Sequence, residues 1–374
     1  MNPKTILLLG ATGNTGRYMA SLLLQHSNAR LALASRFPQK AADLADEFNR
    51  QFPGQRAYPV TADAASPQSL RTALDGIQML AAASSTSEHV ETTARACLEM
   101  GIDYFDVQYS ASKLRALRRL EDEILRAGCC FITDGGFHPG LPAALIRYAA
   151  EHFDSLQAAN IGSVIKIDWK NLKVDENTVI EMAREFSDFD MRFFQHGAWR
   201  KARMDIVVDL VKMDFGAPFG LQACYPMMLE EMKTLPEQIP TLTDTGFFVG
   251  SFNWFTDMVA MPLMLALVKL APQKGLRLAG KLMHWSLNTF THPPYGTRLK
   301  LEAHGLKNDT DTRLELTLAH DDGYYFTAAP AAACLLQWLD DSIRRPGLFT
   351  QGNIVAPARL LADLEQMGIT KTIS

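Results

Sequence analysis

The apolar positions of this chain follow two different rhythms. Up to residue 133, short apolar runs alternate with stretches whose apolar positions recur every three to four residues. Runs at 5–9, 30–35, 56–61, 77–83, 104–107 and 129–133 read as strands, the first of them uninterrupted enough to be covered on both faces, as in a parallel sheet. Between them, 14–24, 38–48, a stretch opening at Ser66-Pro67, 86–99 and 110–127 have helical spacing. Ser66 suits an N-cap, and Pro38 suits a first turn, where a missing N–H costs little. Strands alternating with helices of this length predict βαβ units, hence an α/β fold with a doubly wound parallel Rossmann sheet.

From about residue 155 strand-like runs follow one another at 157–168, 204–211, 297–303, 311–319 and 324–328. Their alternation, clearest in Arg313-Leu-Glu-Leu-Thr-Leu-Ala, fits strands with one face on a core. Helical spacing lies between them at 178–187, and a further helical segment spans Arg184 to Trp199 with Arg192 and His196 on it. The organisation expected is a dinucleotide-binding domain over 1–140, an α+β substrate and dimerisation domain over 141–345, and a segment over 346–374 returning to the first domain. Within that last segment, Ala356 to Gly368 reads as an amphipathic helix closed by glycine.

One stretch, 246–271, is long and apolar enough to raise the question of a membrane. Asn253, Asp257 and Pro262 interrupt it, and its apolar part over 258–268 is too short to span a bilayer. It reads as a buried helix, or as a helix pair facing a partner subunit, and leaves room for peripheral membrane contact.

The composition changes little in this picture. Of 374 residues 47% are hydrophobic and 21% charged, enough for a sizeable core and ordinary for a globular chain. A net charge of −4 and a pI near 6.2 argue against a nucleic-acid partner. Five cysteines have neither metal spacing nor the even number of a disulfide framework, and Cys129-Cys130 sits in an apolar run as core filling. With no signal peptide evident, a cytoplasmic setting is expected. His284, His292 and His304 have no ligand spacing with one another, so no metal site is expected.

Candidate chemistry gathers at the strand ends, where a doubly wound sheet binds its ligands. After the first strand comes Gly10-Ala-Thr-Gly-Asn-Thr-Gly-Arg17, opening a helix at Asn14. Gly10 permits a tight turn, Gly13 lets backbone approach a diphosphate, and Gly16 lets helix pack closely on sheet. Thr12, Gly13, Asn14 and Thr15 would then turn first-turn amides toward the phosphates. After the second strand come Ser35, Arg36 and, one helical turn on, Lys40, where an NAD site usually has a carboxylate for the ribose 2′-hydroxyl. A hydroxyl and a guanidinium match a 2′-phosphate instead, so NADP (NADPH) is expected over NAD. Asp63 and Ala64 after the third strand face an adenine or shape a helix start. Ala83, Ser84 and Ser85 after the fourth let a cofactor lie on backbone, and Gln108 follows the fifth.

The loop after the sixth strand, Asp134-Gly-Gly-Phe-His-Pro-Gly-Leu-Pro142, is rigid and glycine-lined. It either sits beside a nicotinamide, with His138 as proton donor or acceptor near neutral pH, or shapes a domain junction. Tyr109 and Lys113 have Tyr-x-x-x-Lys spacing, in which lysine can lower the tyrosine pKa on one helix face, but no strand-end serine precedes them. The catalytic group is left unassigned, with His138, Tyr109 and Lys113 as the candidates.

On Gly10 to Arg17, on Ala34-Ser-Arg36, on Gly135-Gly-Phe-His-Pro-Gly-Leu141 and on Pro357 to Gly368, the chain resembles the saccharopine dehydrogenase-like oxidoreductases with an N-terminal NADP-binding domain. The likeness is good over 1–145 and thin over 155–345. It implies a Rossmann domain, an α+β substrate and dimerisation domain, and a homodimer. It also implies hydride transfer to or from a C–N or C–O carbon of a small, amino-acid-derived substrate. Two other readings stay open: a non-catalytic NADPH-binding sensor or scaffold, and an enoyl reductase acting on a lipid-like substrate, the latter motivated by 246–271.

Overall fold

The computed structural model describes residues 3–171, 190–202 and 210–374, without the side chains of 272–274. The helix expected over 178–187 and all but the end of the strand expected over 204–211 lie outside the described residues. The chain divides into two compact units, Met1–Leu145 with Tyr324–Ile369, and Ile146–Gly323 with Thr370–Ser374.

In the first unit a seven-stranded sheet is built from β1 (Thr5–Leu9), β2 (Arg30–Ser35), β3 (Ala57–Thr61), β4 (Met79–Ala82), β5 (Asp103–Asp106), β6 (Cys130–Thr133) and β15 (Gly347–Thr350). Their order is β15-β6-β5-β4-β1-β2-β3, and every neighbouring pair is parallel. The continuous apolar runs have their explanation here, since β1, β4, β5 and β6 are buried along their whole length. Chain order reverses at β1, which places the ligand crevice of such a sheet between the carboxyl ends of β1 and β4.

Elements from the far end of the chain complete this unit, among them the helix Pro357–Gln366. The run 324–328, read from sequence as a strand, forms the start of a helix, Gly323–Leu339. Its Tyr-Tyr-Phe opening has strand-forming residues, but the alanine-rich continuation favours helix. Phe326 is fully buried and stacks on Phe137, with ring centroids 4.9 Å apart. Strand β15 then extends the sheet beside β6.

The second unit holds a mixed sheet in the order β10-β11-β12-β7-β13-β14-β16, comprising β7 (Ser155–Lys166), β10 (Val211–Asp214), β11 (Leu221–Pro226), β12 (Asp244–Gly250), β13 (Gly296–Lys307), β14 (Thr310–His320) and β16 (Thr370–Ile373). Only β12 and β7 pair in parallel along this path. The long β13–β14 hairpin turns through Asn308 and Asp309, both at positive φ, as a two-residue hairpin loop requires. The described part of the segment read as a helix with Arg192 and His196 is a hairpin instead, β8 (Arg192–Gln195) with β9 (Ala198–Lys201). Positive φ at His196 and Gly197 turns it, and the β-prone Phe193, Phe194 and Trp199 flank the turn.

The 246–271 stretch also departs from expectation. Its first residues are the end of the buried strand β12, and a helix pair, Met261–Leu270 and Pro272–Phe290, follows. Met264 is the buried residue of the shorter helix. A helix with so little buried is not a core helix.

Candidate functional site

The carboxyl end of β1 leads into a turn whose geometry demands its glycines. Gly10 has φ +86°, and a Cβ there would stand 2.6 Å from Ser84 Cβ and 3.0 Å from Ser84 N. At Gly16 a Cβ would lie 2.2 Å from Gly10 O. The first contact presses the β1 turn onto the end of β4, and the second presses helix α1 (Asn14–His26) onto the turn. Gly13 is the N-cap of α1, and no side chain caps that end. The first-turn N–H groups have no carbonyl within the helix to take them. Thr12, Gly13 and Asn14 are exposed at this end and Thr15 half-buried, so bare amides with the positive end of a helix dipole face outward.

Around this turn the neighbouring strand ends form a continuous rim. Across β1–β2, Leu9 pairs with Ala34, which sets Ser35 and Arg36 immediately beside the glycine turn. Ser35 is buried, and its Oγ accepts from Phe37 N at 3.1 Å. Arg36 and Lys40 are exposed, and the Lys40 ammonium sits over the Phe37 ring. No carboxylate occupies the end of β2. Farther out, Asp63 Oδ1 accepts from Ala65 N at 3.1 Å, so this carboxylate shapes the turn into α3 (Pro67–Ala73) beside the buried Ala64.

On the other side Ala83 N donates to Leu9 O at 2.8 Å, tying the β4 end to β1. Gln108 Nε2 donates to Ser84 O at 2.5 Å and to Thr86 Oγ1 at 3.0 Å. Ala83, Ser84 and Gln108 therefore meet at the crevice, with Ser85 exposed beside them. The buried Gln108 Oε1 has no hydrogen-bond partner among the described residues.

Lys113 is placed differently from the sequence expectation. Helix α5 spans Ala111–Arg119 with Ser110 as its N-cap, so Tyr109 precedes the helix and shares no helix face with Lys113. Lys113 is fully buried, and its Nζ donates to Asp106 Oδ1 and Asp134 Oδ1, each at 2.7 Å, and to Gln108 O. Burial opposes its charge, but the two carboxylates outweigh burial and hold the ammonium above the usual lysine range. Asp106 Oδ2 also accepts from Thr133 Oγ1 at 2.7 Å. This ion cluster fastens the ends of β5 and β6 to α5. Sequence reasoning missed it, although an aspartate at each of two strand ends was its visible signal.

The loop after β6 is held just as firmly. Gly135 N donates to Asp106 O at 2.8 Å. The carboxamide of the fully buried Gln351 bridges Gly136 in both senses, its Oε1 accepting from Gly136 N at 3.1 Å and its Nε2 donating to Gly136 O at 3.0 Å. His138 lies against Phe137, with ring centroids 4.0 Å apart. Desolvation pushes its pKa down to about 3, so the imidazole is neutral at physiological pH, where the sequence reading expects a titrating group. Among the described residues no group of three or more His, Cys, Asp or Glu is arranged to hold a metal ion.

Uncapped amides on a glycine turn, an exposed guanidinium and ammonium at the next strand end, and a carboxylate-free β2 end together fit a dinucleotide bearing a 2′-phosphate. The comparison with family models agrees: residues 6–129 match the saccharopine dehydrogenase NADP binding domain. Over these residues the chain is similar to the NADP-binding domain of saccharopine dehydrogenases. Saccharopine dehydrogenase (L-Glu forming) from Saccharomyces cerevisiae superposes on the chain with a TM-score of 0.69 at 14% identity, covering 99% of this chain and 100% of the yeast one. That shows the saccharopine dehydrogenase fold.

Two other solved dehydrogenases superpose less well. A myo-inositol dehydrogenase from Corynebacterium glutamicum has a TM-score of 0.46 at 15% identity, over 99% of this chain and 98% of its own. A meso-dapdh mutant from Clostridium tetani has a TM-score of 0.46 at 11% identity, over 95% of each chain. No curated protein matches by sequence. An NADP-binding domain of this family is the cofactor module of an oxidoreductase, and NADP is its cofactor.

Proposed function

We propose that the protein is an NADP-dependent oxidoreductase acting on a small, amino-acid-derived substrate at a carbon bonded to nitrogen or oxygen. The observation that carries this reading is the uncapped start of α1 on its glycine turn, with Arg36 beside it and no acid at the end of β2. Bound NADP would supply the hydride chemistry. The chain's own residues hold and orient. First-turn amides from Asn14 to Gly16 take the diphosphate, Arg36 with Lys40 takes the 2′-phosphate, and the Ala83–Ser85 backbone gives the cofactor a flat bed. Lys113, clamped between Asp106 and Asp134, keeps the crevice wall in register.

A fluorescence titration with NADPH and NADH tests the cofactor assignment. Arg36→Asp sets a carboxylate against the 2′-phosphate, and the loss of a charge-assisted bond should weaken NADPH about 10- to 100-fold. NADH binding should hardly change. An unaltered NADPH/NADH ratio in this variant would remove Arg36 from the site.

A second reading, a non-catalytic NADPH-binding protein, is favoured by one set of observations. Lys113 is consumed by its carboxylates, Tyr109 stands off its helix, and His138 is neutral. Mixtures of keto acids with amino acids separate the two readings. Oxidation of NADPH by any mixture supports the enzyme, and tight binding without turnover across the panel supports the sensor.

A further inference from the structure

In the first unit three helices bring their carboxyl ends around one cavity. Helix α1 ends at His26, the Gly323–Leu339 helix at Leu339 and the Pro357–Gln366 helix at Gln366. The cavity holds about 320 Å³, and His26, Leu336, Leu339, Asp363 and Gln366 line it from those last turns. Asp340 and Arg359 line it as well, and most of their polar atoms are satisfied. Asp340 Oδ2 pairs with Arg359 Nη1 at 2.5 Å, and its Oδ1 accepts from Ser342 N at 3.1 Å. Arg359 Nη1 also donates to Ser342 Oγ at 3.2 Å. Two other atoms are not satisfied: His26 Nε2 and Asp363 Oδ2 are buried and have no hydrogen-bond partner among the described residues. Arg359 Nε stands 3.6 Å from Asp363 Oδ2, beyond hydrogen-bond reach. Burial pushes the Asp363 carboxyl above its usual range, against the pull of Arg359 and His26.

The sign of the field decides what fits. The open carbonyls at a helix carboxyl end carry about half a negative charge, and here three such ends meet. Two carboxylates, Asp340 and Asp363, add to them. Arg359 is the one permanent cation of the lining, and its guanidinium is committed to Asp340 and Ser342. An anion would enter against this field, whereas a cation is drawn in. The unfilled hydrogen-bonding capacity points the same way, because a carboxylate oxygen accepts and its ligand must therefore donate. Leu336, Leu339 and Met367 offer an apolar wall to a short hydrocarbon body, in a cavity at the small end of the range for ligand sites. A bare metal ion fits poorly, since no group of three or more His, Cys, Asp or Glu among the described residues is arranged to hold one.

The geometry points to a binding site for a small aliphatic primary ammonium ion, its N–H groups on Asp363 Oδ2 and on Nε2 of a neutral His26, its hydrocarbon against Leu336, Leu339 and Met367. The site lies at the carboxyl end of α1, about 20 Å of helix away from the glycine turn, so its failure leaves the oxidoreductase reading untouched. The test is isothermal titration calorimetry of the full-length protein with n-butylammonium chloride, against sodium chloride, tetramethylammonium chloride and n-butanol. The expected result is one saturable site for n-butylammonium. Tetramethylammonium, which has the charge without N–H donors, and n-butanol, which has the body without the charge, should give none. Asp363→Asn removes the charge-assisted bond and should weaken n-butylammonium about 10- to 100-fold. Gln366→Trp, at an exposed position of the lining, should fill the cavity and abolish binding. NADPH titration of both variants should stay that of the parent, which certifies the fold. Absence of saturable heat with n-butylammonium overturns the proposal, as does binding that both variants leave unchanged. Equal binding of sodium or of n-butanol overturns the ammonium assignment.

Discussion

At single positions, steric contact and ion pairing dominate this molecule. A Cβ at Gly16 would collide with the carbonyl of Gly10, which is backbone and cannot swing aside. Gly16→Ala should therefore cost about 1–3 kcal/mol by overpacking and, by pushing α1 off the turn, lose most NADPH affinity. Thermal melts paired with a fluorescence titration would show both losses together. Lys113→Met leaves Asp106 and Asp134 facing each other without a cation, and urea unfolding should register a loss of about 3–5 kcal/mol. The sign with pH follows from its raised pKa. Lys113 contributes its full stability below the ordinary lysine value of 10.5, and the contribution disappears as pH climbs through the higher folded value. Parent and variant should thus converge in stability only in strong alkali.

At the scale of elements, the 134–141 loop and the helical turn Gln351–Ile354 act as one piece. Gln351→Ala strips partners from a buried N–H and a buried C=O of Gly136, about 1–3 kcal/mol for each. The melting temperature should fall, and added NADPH should restore less of it than in the parent if the loop borders the cofactor. His138 gives this loop an acid limit. Its folded pKa near 3 lies below the ordinary 6.5, so the unfolded chain binds the proton first as pH drops. Stability from the neutral ring is complete above pH 6.5 and drains away toward pH 3. His138→Gln should flatten denaturation midpoints across that window, and midpoints that still slope as in the parent would assign the acid limit elsewhere.

For the whole molecule, the first unit is discontinuous in sequence. Asp103, buried at the amino end of β5, accepts from Cys130 N at 2.8 Å, Trp338 Nε1 at 2.8 Å and Arg344 Nε at 2.6 Å. Residues 1–145 alone would keep the first of these and leave a buried carboxylate without its tryptophan and arginine, besides losing β15 from the sheet. That fragment should lack a cooperative transition by circular dichroism. The same fragment joined to 324–369 should melt cooperatively and bind NADPH. Cooperative melting of 1–145 by itself would make the returning segment dispensable.

The sequence alone determined the six leading strands, their parallel character, the glycine turn and the basic end of β2. Each of these is local: alternation of apolar runs needs no knowledge of distant residues, and a turn that tolerates no Cβ selects glycine by sterics. The tertiary structure decided what depends on adjacency. The cation of Lys113 found its carboxylates only because β5 and β6 lie side by side, and Gln351 reached Gly136 across 215 residues of chain. Tyr324 to Ala328 became helical because the alanine run after them and the stacking of Phe326 outweighed local strand preference. The exposed helix pair was hidden for a related reason, since leucine and tryptophan read the same in a core as on an outer face, and only packing tells which one they occupy.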